Sequence, residues 1–402
     1  MESGGLGVKT VEETWGLLDA AVAPLAPEAV GLSGAGGRIL RSEVRADSDQ
    51  PPFARSAMDG YLVRAGETAE VLRLAGEVVP GEAAKMPGPG SALRVFTGSA
   101  VPDEGAVVVM QEDVDREEGQ VRLRAMVGRE HIRARGSQAR RGDLLVDAGT
   151  RLAPGAIAVL AAAGAARPMV SPVIRAAHVA TGRELVECDT VPGEGEIRDS
   201  NSPMISALLG EAGADAVWHR RVDEDPAALA SAIAAALGAR PHLLLISGGA
   251  SVGDHDHTGG VLRESGFDLL VRGVATRPGK PLIVARRDQL LAFGMPGNPL
   301  SHFVSFHLFV RRAIDRLSGA APRPLVRLPV EDAAAIRANP RESWWPCRFV
   351  RADAGLRVAP LPWRDSSDIT ALARVEGLLR VPPDGIGPSG AAEVLATGVW
   401  DR

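Results

Sequence analysis

The stretch SGGASVGDHDHTGG, residues 247–260, holds five glycines, three hydroxyl side chains, two aspartates and two histidines. Three uses compete for such a composition. Asp254, His255, Asp256 and His257 could form a metal site. Backbone amides of Gly248 and Gly249, with the hydroxyls of Ser247 and Ser251, could cradle a phosphate, because glycine lets the chain approach an anion closely. An ordinary surface turn is the third. Carboxylate oxygens beside a substrate phosphate suit Mg²⁺, whereas two histidines alone make an incomplete zinc site.

Other loops carry chemistry of the same kind. TRPGKPLIVA (276–285) sets Arg277 and Lys280 around a Pro-Gly turn, followed by Pro281, and two cations on a rigid turn make an oxyanion clamp. Lys280 stands out because only three of the 45 basic residues are lysines, the others being Lys9 and Lys85. In GMPGNPLS (294–301), Asn298 is placed to cap a helix starting near Pro299, and Ser301 lies in its first turn. PPFARSAMDGYLVRA (51–65) presents Ser56 and Asp59, an acid able to hold a metal or act as a base. ATGREL (180–185) ends a strand and places Glu184 to open a helix, and IRDSNSPMI (197–205) offers Asp199, Ser200 and Asn201 as caps. Each loop alone also reads as a turn or a capped helix. Together they give several anion-binding turns and acids at one sheet edge, which implies a phosphorylated small-molecule ligand handled with Mg²⁺.

The 402 residues exceed one typical core, so several domains are expected. Apolar content of 45% with 24% charged residues describes a folded chain. A net charge of −5 argues against a general nucleic-acid binder. No apolar run is long enough for a membrane span, and the first residues lack a basic start followed by an apolar stretch. Two cysteines without a CxxC pair fit a reduced, cytoplasmic setting.

The elements that must position these loops follow from periodicity. TVEETWGLLDAAVA (10–23) reads as an amphipathic helix, with Thr10 and Glu13 as a capping box. Between about 45 and 140, short apolar runs broken by Gly and Pro read as strands, and 142–165 as a turn and an alanine-rich helix. From 173 to 318, strands alternate with helices, predicting a doubly wound parallel sheet with ligands at its carboxyl edge. The expected organisation is a multidomain α/β protein. A helical framework (1–46 plus 141–172) carries an inserted β-rich domain (47–140), followed by an α/β domain (173–320) and a small C-terminal β domain (321–402).

Eight motifs in this order, SAMDGY, FTGSAVPDEGAVVVMQED, HIRARG, TGREL, IRDSN, SGGASVGDHDHT, RPGKP and MPGNPLS, together with WRDSSDITAL near the C-terminus, closely resemble the molybdopterin molybdenumtransferase family (MoeA and the E domain of gephyrin). The resemblance spans essentially the whole chain. It implies an elongated four-domain subunit that forms a homodimer, with a molybdopterin-binding α/β domain. The implied reaction joins molybdate to adenylylated molybdopterin and releases AMP, assisted by Mg²⁺. Contacts with the adenylyltransferase of the same pathway and with apo-molybdoenzymes are implied too.

By the same resemblance, Asp59, Thr97, Glu184 and Asp256 match functional positions, with Asp59 and Asp256 as Mg²⁺ ligands. Arg133, Arg277, Lys280, Pro281, Ser301, Arg351 and Ser366 match contacts to molybdate or cofactor. His255 and His257 match no ligand position. The chain departs from the family pattern at four places: Gln138 stands for an aspartate, Glu224 for an aspartate, Gly273 for a lysine, and Asp365 for a glycine. Gln138 cannot ionise, so it cannot serve as a base. These departures keep open an alternative, a divergent non-catalytic paralogue that binds molybdopterin species or acts as a scaffold.

Overall fold

The computed structural model describes residues 7–124, 131–249, 257–353 and 355–398. Contacts divide the chain into two compact units. The first comprises residues 1–28, 37–41 and 169–402, and the second residues 29–36 and 42–168.

The first unit opens with α1 (Val11–Ala21), capped as expected: Glu13 N–H donates to Thr10 Oγ1, and the Thr10 N–H donates to the Glu13 carboxylate. Its α/β region contains β1 (Ile174–Thr181), α2 (Asn201–Glu211), β2 (Ala214–Val222), α3 (Pro226–Gly238), β3 (Leu243–Ser247), α4 (His257–Glu264), β4 (Asp268–Arg272), β5 (Ile283–Arg287), β6 (Leu290–Met295), α5 (Pro299–Ser305) and α6 (Arg311–Ser318). A π-helical turn, Phe306–Val310, joins α5 to α6. The sheet order is β2-β1-β3-β6-β5-β4.

Strands β2, β1, β3 and β6 run parallel, as the alternating pattern predicts. The doubly wound parallel arrangement read from the sequence holds for these four strands, while β5 and β4 make the sheet mixed, being antiparallel to their neighbours. Only Asp288 and Gln289 separate β5 from β6, a hairpin length, whereas a parallel crossover needs a dozen residues or more. Asp288 takes the left-handed conformation, with φ 56°.

Period-two alternation in β3 explains why the strand is buried on both faces. Leu243 and Leu245 pack with Leu18, Ile205, Leu209, Phe309 and Ile314. Leu244 and Ile246 face the other way, against Leu229 and Ile233 of α3 and Leu262 of α4. Helices therefore cover both faces, the doubly wound arrangement.

The C-terminal region forms a second sheet from β7 (Val326–Pro329), β8 (Glu342–Ala352), β9 (Gly355–Pro360), β10 (Gly377–Val381) and β11 (Ala391–Ala396). A two-residue strand, Thr276–Arg277, adds to it in parallel beside Glu342 and Ser343 of β8. The RPGKP loop is thereby fastened to the C-terminal sheet.

The second unit is β-rich, with a six-stranded sheet ordered Ala106–Met110, Gly60–Arg64, Ser91–Val95, Val71–Val78, Gln120–Leu123 and Val114–Glu117. The alanine-rich helix, Pro154–Ala162, belongs to this unit, and α1 to the first. Among the described residues, no helix is long and apolar enough to cross a membrane. Both cysteines are free; Cys347 is buried, which pushes its thiol up to about 12, and Cys188 is exposed.

Candidate functional site

Strand β1 neighbours both β2 and β3, so the chain changes direction across the sheet between β1 and β3, and their carboxyl ends leave a crevice there. A cleft of about 970 Å³ opens at this point. Thr181 and Ser247 end the two strands, Gly248 and Gly249 continue from β3, and the loops 277–281, 296–301 and 363–369 complete the walls with Glu184, Glu224 and 197–201.

Gly248 has φ +90°, and a Cβ there would lie 2.6 Å from both the carbonyl oxygen and Oγ1 of Thr181. Its N–H donates to the Met295 carbonyl, so the expected phosphate cradle loses this amide; the Gly249 N–H has no partner among the described residues. The Gly248→Ala variant is expected to lose at least about 1–2 kcal/mol from backbone strain alone, measured by urea unfolding. A loss below about 0.5 kcal/mol, the range of a neutral surface change, would show that the loop relaxes freely.

The RPGKP loop places two half-buried cations on the cleft wall. The Lys280 carbonyl accepts from the N–H groups of Val274 and Leu282, and Arg341 Nη1 donates to the Thr276 carbonyl, which stiffens the turn. Arg277 lies over the Trp363 ring, 5.1 Å from its centroid. Lys280 has no ion pair among the described residues. The chemistry available is a localised positive charge facing an anion.

Asn298 occupies the N-cap position of α5, but its side chain does not cap. Nδ2 donates instead to Ser366 Oγ at 2.6 Å, and the Leu300 N–H donates to the Ser366 carbonyl. The C-terminal loop thus caps α5. Asp199, not Ser200, caps α2, accepting from the N–H and hydroxyl of Ser202, while Asn201 Nδ2 donates to the Gly297 carbonyl. Glu184 lines the cleft but opens no helix. Residues 185–186 form a short parallel pairing with 197–198, and the Pro- and Gly-containing segment between them favours a loop.

Among the expected site residues, Glu184, Ser247, Gly248, Gly249, Arg277, Lys280, Pro281, Asn298, Ser301 and Ser366 come together in this cleft. Arg351 does not. It is exposed on β8 opposite Leu356, near the tip of the β8–β9 hairpin, and the C-terminal region reaches the cleft through 363–369 instead. Ser251, Asp254, His255 and Asp256 lie outside the described residues, and His257 opens α4.

Asp59, Thr97 and Arg133 belong to the second unit, where adjoining segments hold them: the Ala57 N–H donates to the His131 carbonyl, the Gly98 N–H to Ser56, and Arg133 pairs with Arg55. Thr97 donates both its N–H and its hydroxyl to Asp59 Oδ1, each at 2.8 Å. These bonds, first the Thr97 N–H, with Arg94 adding charge, lower the Asp59 pKa. Oδ2 has no hydrogen bond among the described residues. Within the described residues, no three His, Cys, Asp or Glu side chains form a metal-binding group.

The departures have physical settings. Gly273 has φ +93°, where a lysine would be strained. Asp365 lines the cleft, but its carboxylate accepts from the N–H and hydroxyl of Ser367, turning its charge into its own turn. Gln138 is exposed, its N–H donating to the Gln50 carbonyl.

Two neighbours of Ser247 carry no signal in the sequence motifs: His178 and His302, both hydrogen-bonded to its hydroxyl. Burial lowers both pKa values, that of His302 to about 4 from 6.5. The unfolded chain therefore binds more protons between these values. Stability from His302 is complete above pH 6.5 and is lost as pH falls toward 4, about 3 kcal/mol in all. Urea unfolding of wild type and His302→Gln over that range should give a steeper pH dependence for wild type; equal slopes would contradict it.

Residues 9–164 match the family model described as MoeA N-terminal region (domain I and II), and residues 177–316 match the probable molybdopterin binding domain. A molybdopterin molybdenumtransferase of Nostoc sp. is 37% identical over 306 residues, covering 73% of this chain and 70% of that protein. One from Bacillus subtilis is 33% identical over 367 residues, covering 86% and 83%. The crystal structure of a molybdopterin biosynthesis moeA protein from Pyrococcus horikoshii OT3 superposes with a TM-score of 0.79 at 25% identity, covering 97% of this chain and 100% of that one. With identity above 30% sustained over most of both chains, and the fold shared along almost the whole length, this chain belongs to the molybdopterin molybdenumtransferase family.

Proposed function

We propose that this chain inserts molybdate into adenylylated molybdopterin and releases AMP, with Mg²⁺ assisting. The observation that carries the reading is the cleft at the β1/β3 crevice, walled by Arg277, Lys280 and a glycine turn, in a member of this family. Substrate and product are anions, so positioning and charge neutralisation dominate. Lys280 and Arg277 hold oxyanions. Ser301, Ser366 and Asn298 orient the ligand from the loops that meet at α5, and Pro281 shapes the wall.

Asp59 is the proposed Mg²⁺ ligand of the second unit, and Asp256 that of the opening motif. The chemistry of Asp59 fits: its pKa is lowered, Oδ2 has no hydrogen bond among the described residues, and Mg²⁺ binds through one or two carboxylates plus waters and phosphates. When bound, Mg²⁺ neutralises phosphate charge. Thr97 orients the Asp59 carboxylate, Glu184 is a proposed acid of the cleft, and Arg133, in the second unit, and Arg351, on the exposed β8–β9 hairpin outside the cleft, are proposed anion contacts. The four-part division given above, the homodimer, a cytoplasmic setting and contacts with the adenylyltransferase and apo-molybdoenzymes belong to the same proposal.

The test is a reconstituted assay with purified protein, adenylylated molybdopterin, Mg²⁺ and molybdate, following AMP release and activation of an apo-molybdoenzyme. Molybdate-dependent AMP release supports the reading. Tight binding without turnover favours the non-catalytic paralogue, which the uncharged Gln138 motivates. Gln138→Asp then decides the weight of that departure. A tenfold or greater gain, the scale of restoring a general acid–base or charge contribution, is expected if the natural chain is impaired; an unchanged rate shows the position dispensable.

A further inference from the structure

The Ser247 hydroxyl sits at the end of β3 between two imidazoles. His178 Nε2, on β1, is 2.6 Å from Ser247 Oγ, and His302 Nε2, on α5, is 3.4 Å from it. The other nitrogens are also engaged. His178 Nδ1 meets His219 Nδ1 on β2 at 3.1 Å, the rings stacking at 4.9 Å, and His302 Nδ1 lies 3.0 Å from the Pro296 carbonyl. His178 and His302 are 2% and 0% exposed, whereas His219 faces solvent. The row therefore runs from the outer edge strand through the sheet to the cleft floor.

Chemistry orients this row. Burial keeps His178 and His302 neutral near pH 7, so each has one N–H and one bare nitrogen. The Pro296 carbonyl can only accept, so the His302 proton is on Nδ1 and its Nε2 is bare. Ser247 then donates to His302 Nε2. Ser247 Oγ in turn accepts from His178 Nε2–H, which leaves His178 Nδ1 bare to accept from His219 Nδ1–H. The reverse, with Ser247 donating to His178, would leave Ser247 Oγ and His302 Nε2 facing each other as two buried acceptors. Asp199 is the charged neighbour of His302, and its carboxylate is already held by Ser202.

We propose that His178 and His302 are positioning residues that turn the Ser247 hydrogen away from the ligand. Ser247 then serves in the cleft as a hydrogen-bond acceptor for a ligand N–H or O–H group rather than as a donor to phosphate. The ligand part rests on the function proposed above. Anion binding falls to Lys280 and Arg277, and Ser247 reads the uncharged part of the substrate.

Long-range ¹H–¹⁵N spectra of histidine-labelled full-length protein test the orientation without any ligand. The expected result is His302 in the Nδ1–H form and His178 in the Nε2–H form. In Ser247→Ala, the His302 Nε2 resonance should move to the position of a bare, unbonded nitrogen. An Nδ1–H form of His178, or an unmoved His302 resonance, overturns the proposal. With inorganic phosphate as probe, Ser247→Ala should keep affinity within about twofold, and a loss of fivefold or more, the worth of a donated hydrogen bond, overturns the acceptor role. The KM for adenylylated molybdopterin should rise about fivefold in the same variant; an unchanged KM overturns it. Failure of the spectroscopic arm is distinct from failure of the functional reading, which molybdate-dependent AMP release decides.

Discussion

Lys280→Ala is expected to lower kcat/KM for molybdate-dependent AMP release by about 10²- to 10³-fold, the range for removing one preorganised charge-stabilising group. The argument starts from the turn. Gly279 takes φ +96°, the Lys280 carbonyl is held by two N–H donors, and the adjoining Thr276–Arg277 strand is paired to β8. The ammonium is thus anchored on a backbone that cannot easily follow its loss. Arg277 cannot substitute, because its guanidinium is placed over Trp363. The side chain is half-buried and takes part in no ion pair among the described residues, so its removal should leave unfolding free energy within about 0.5 kcal/mol. Steady-state kinetics with urea unfolding as the control check both parts. A kinetic loss below tenfold would remove Lys280 from the site.

Asp315→Ala is expected to cost about 3–5 kcal/mol of stability, the range for breaking a buried ion pair by removing one partner. Asp315 is 3% exposed on α6, with Arg311 Nε at 3.2 Å and Arg323 Nε at 3.8 Å. Beside them, His307 lies in the π-helical turn, and its burial first, then the nearby Arg323 and Arg311, disfavour its protonation. Removing the carboxylate would take one interior ion-pair partner from each of two guanidinium groups. Arg323 also donates to the carbonyls of His307 and Ala396, so the damage would reach the junction between α6 and the C-terminal sheet. Urea unfolding of the purified variant measures the loss; a cost below about 1 kcal/mol, the worth of a surface pair, would mean that water reaches this cluster.

The stability prediction concerns residues that the motifs never marked, and the kinetic one concerns a residue they marked at once. That contrast follows from how far apart the interacting groups lie. Local chemistry determined the elements: the capping box at Thr10, the buried run of β3, the Pro-initiated helices at Pro226 and Pro299, and the turns of RPGKP and SGG are all decided within a few residues. Glycine and proline mark such turns because their backbone limits differ from those of every other residue. The sequence by itself also pointed to the carboxyl edge of the sheet as the ligand site, since strand–turn–helix order places those loops there.

Tertiary structure decided the rest. The direction of β4 and β5 depends on pairing across the sheet, and only the two-residue link to β6 hinted at it. Asn298 has the residue type and place of a helix cap, yet its amide bonds Ser366, 68 residues away. Arg351 resembles a contact residue, but strand register set it on an exposed hairpin. His178 and His302 lie 69 and 55 residues from Ser247 in the chain, and on an apolar strand and a helix they read as isolated polar residues. Their protonation and their partners arise only when the sheet brings β1, β3 and α5 together. Burial and hydrogen-bond direction belong to the assembled core, and no local pattern of residue types records them.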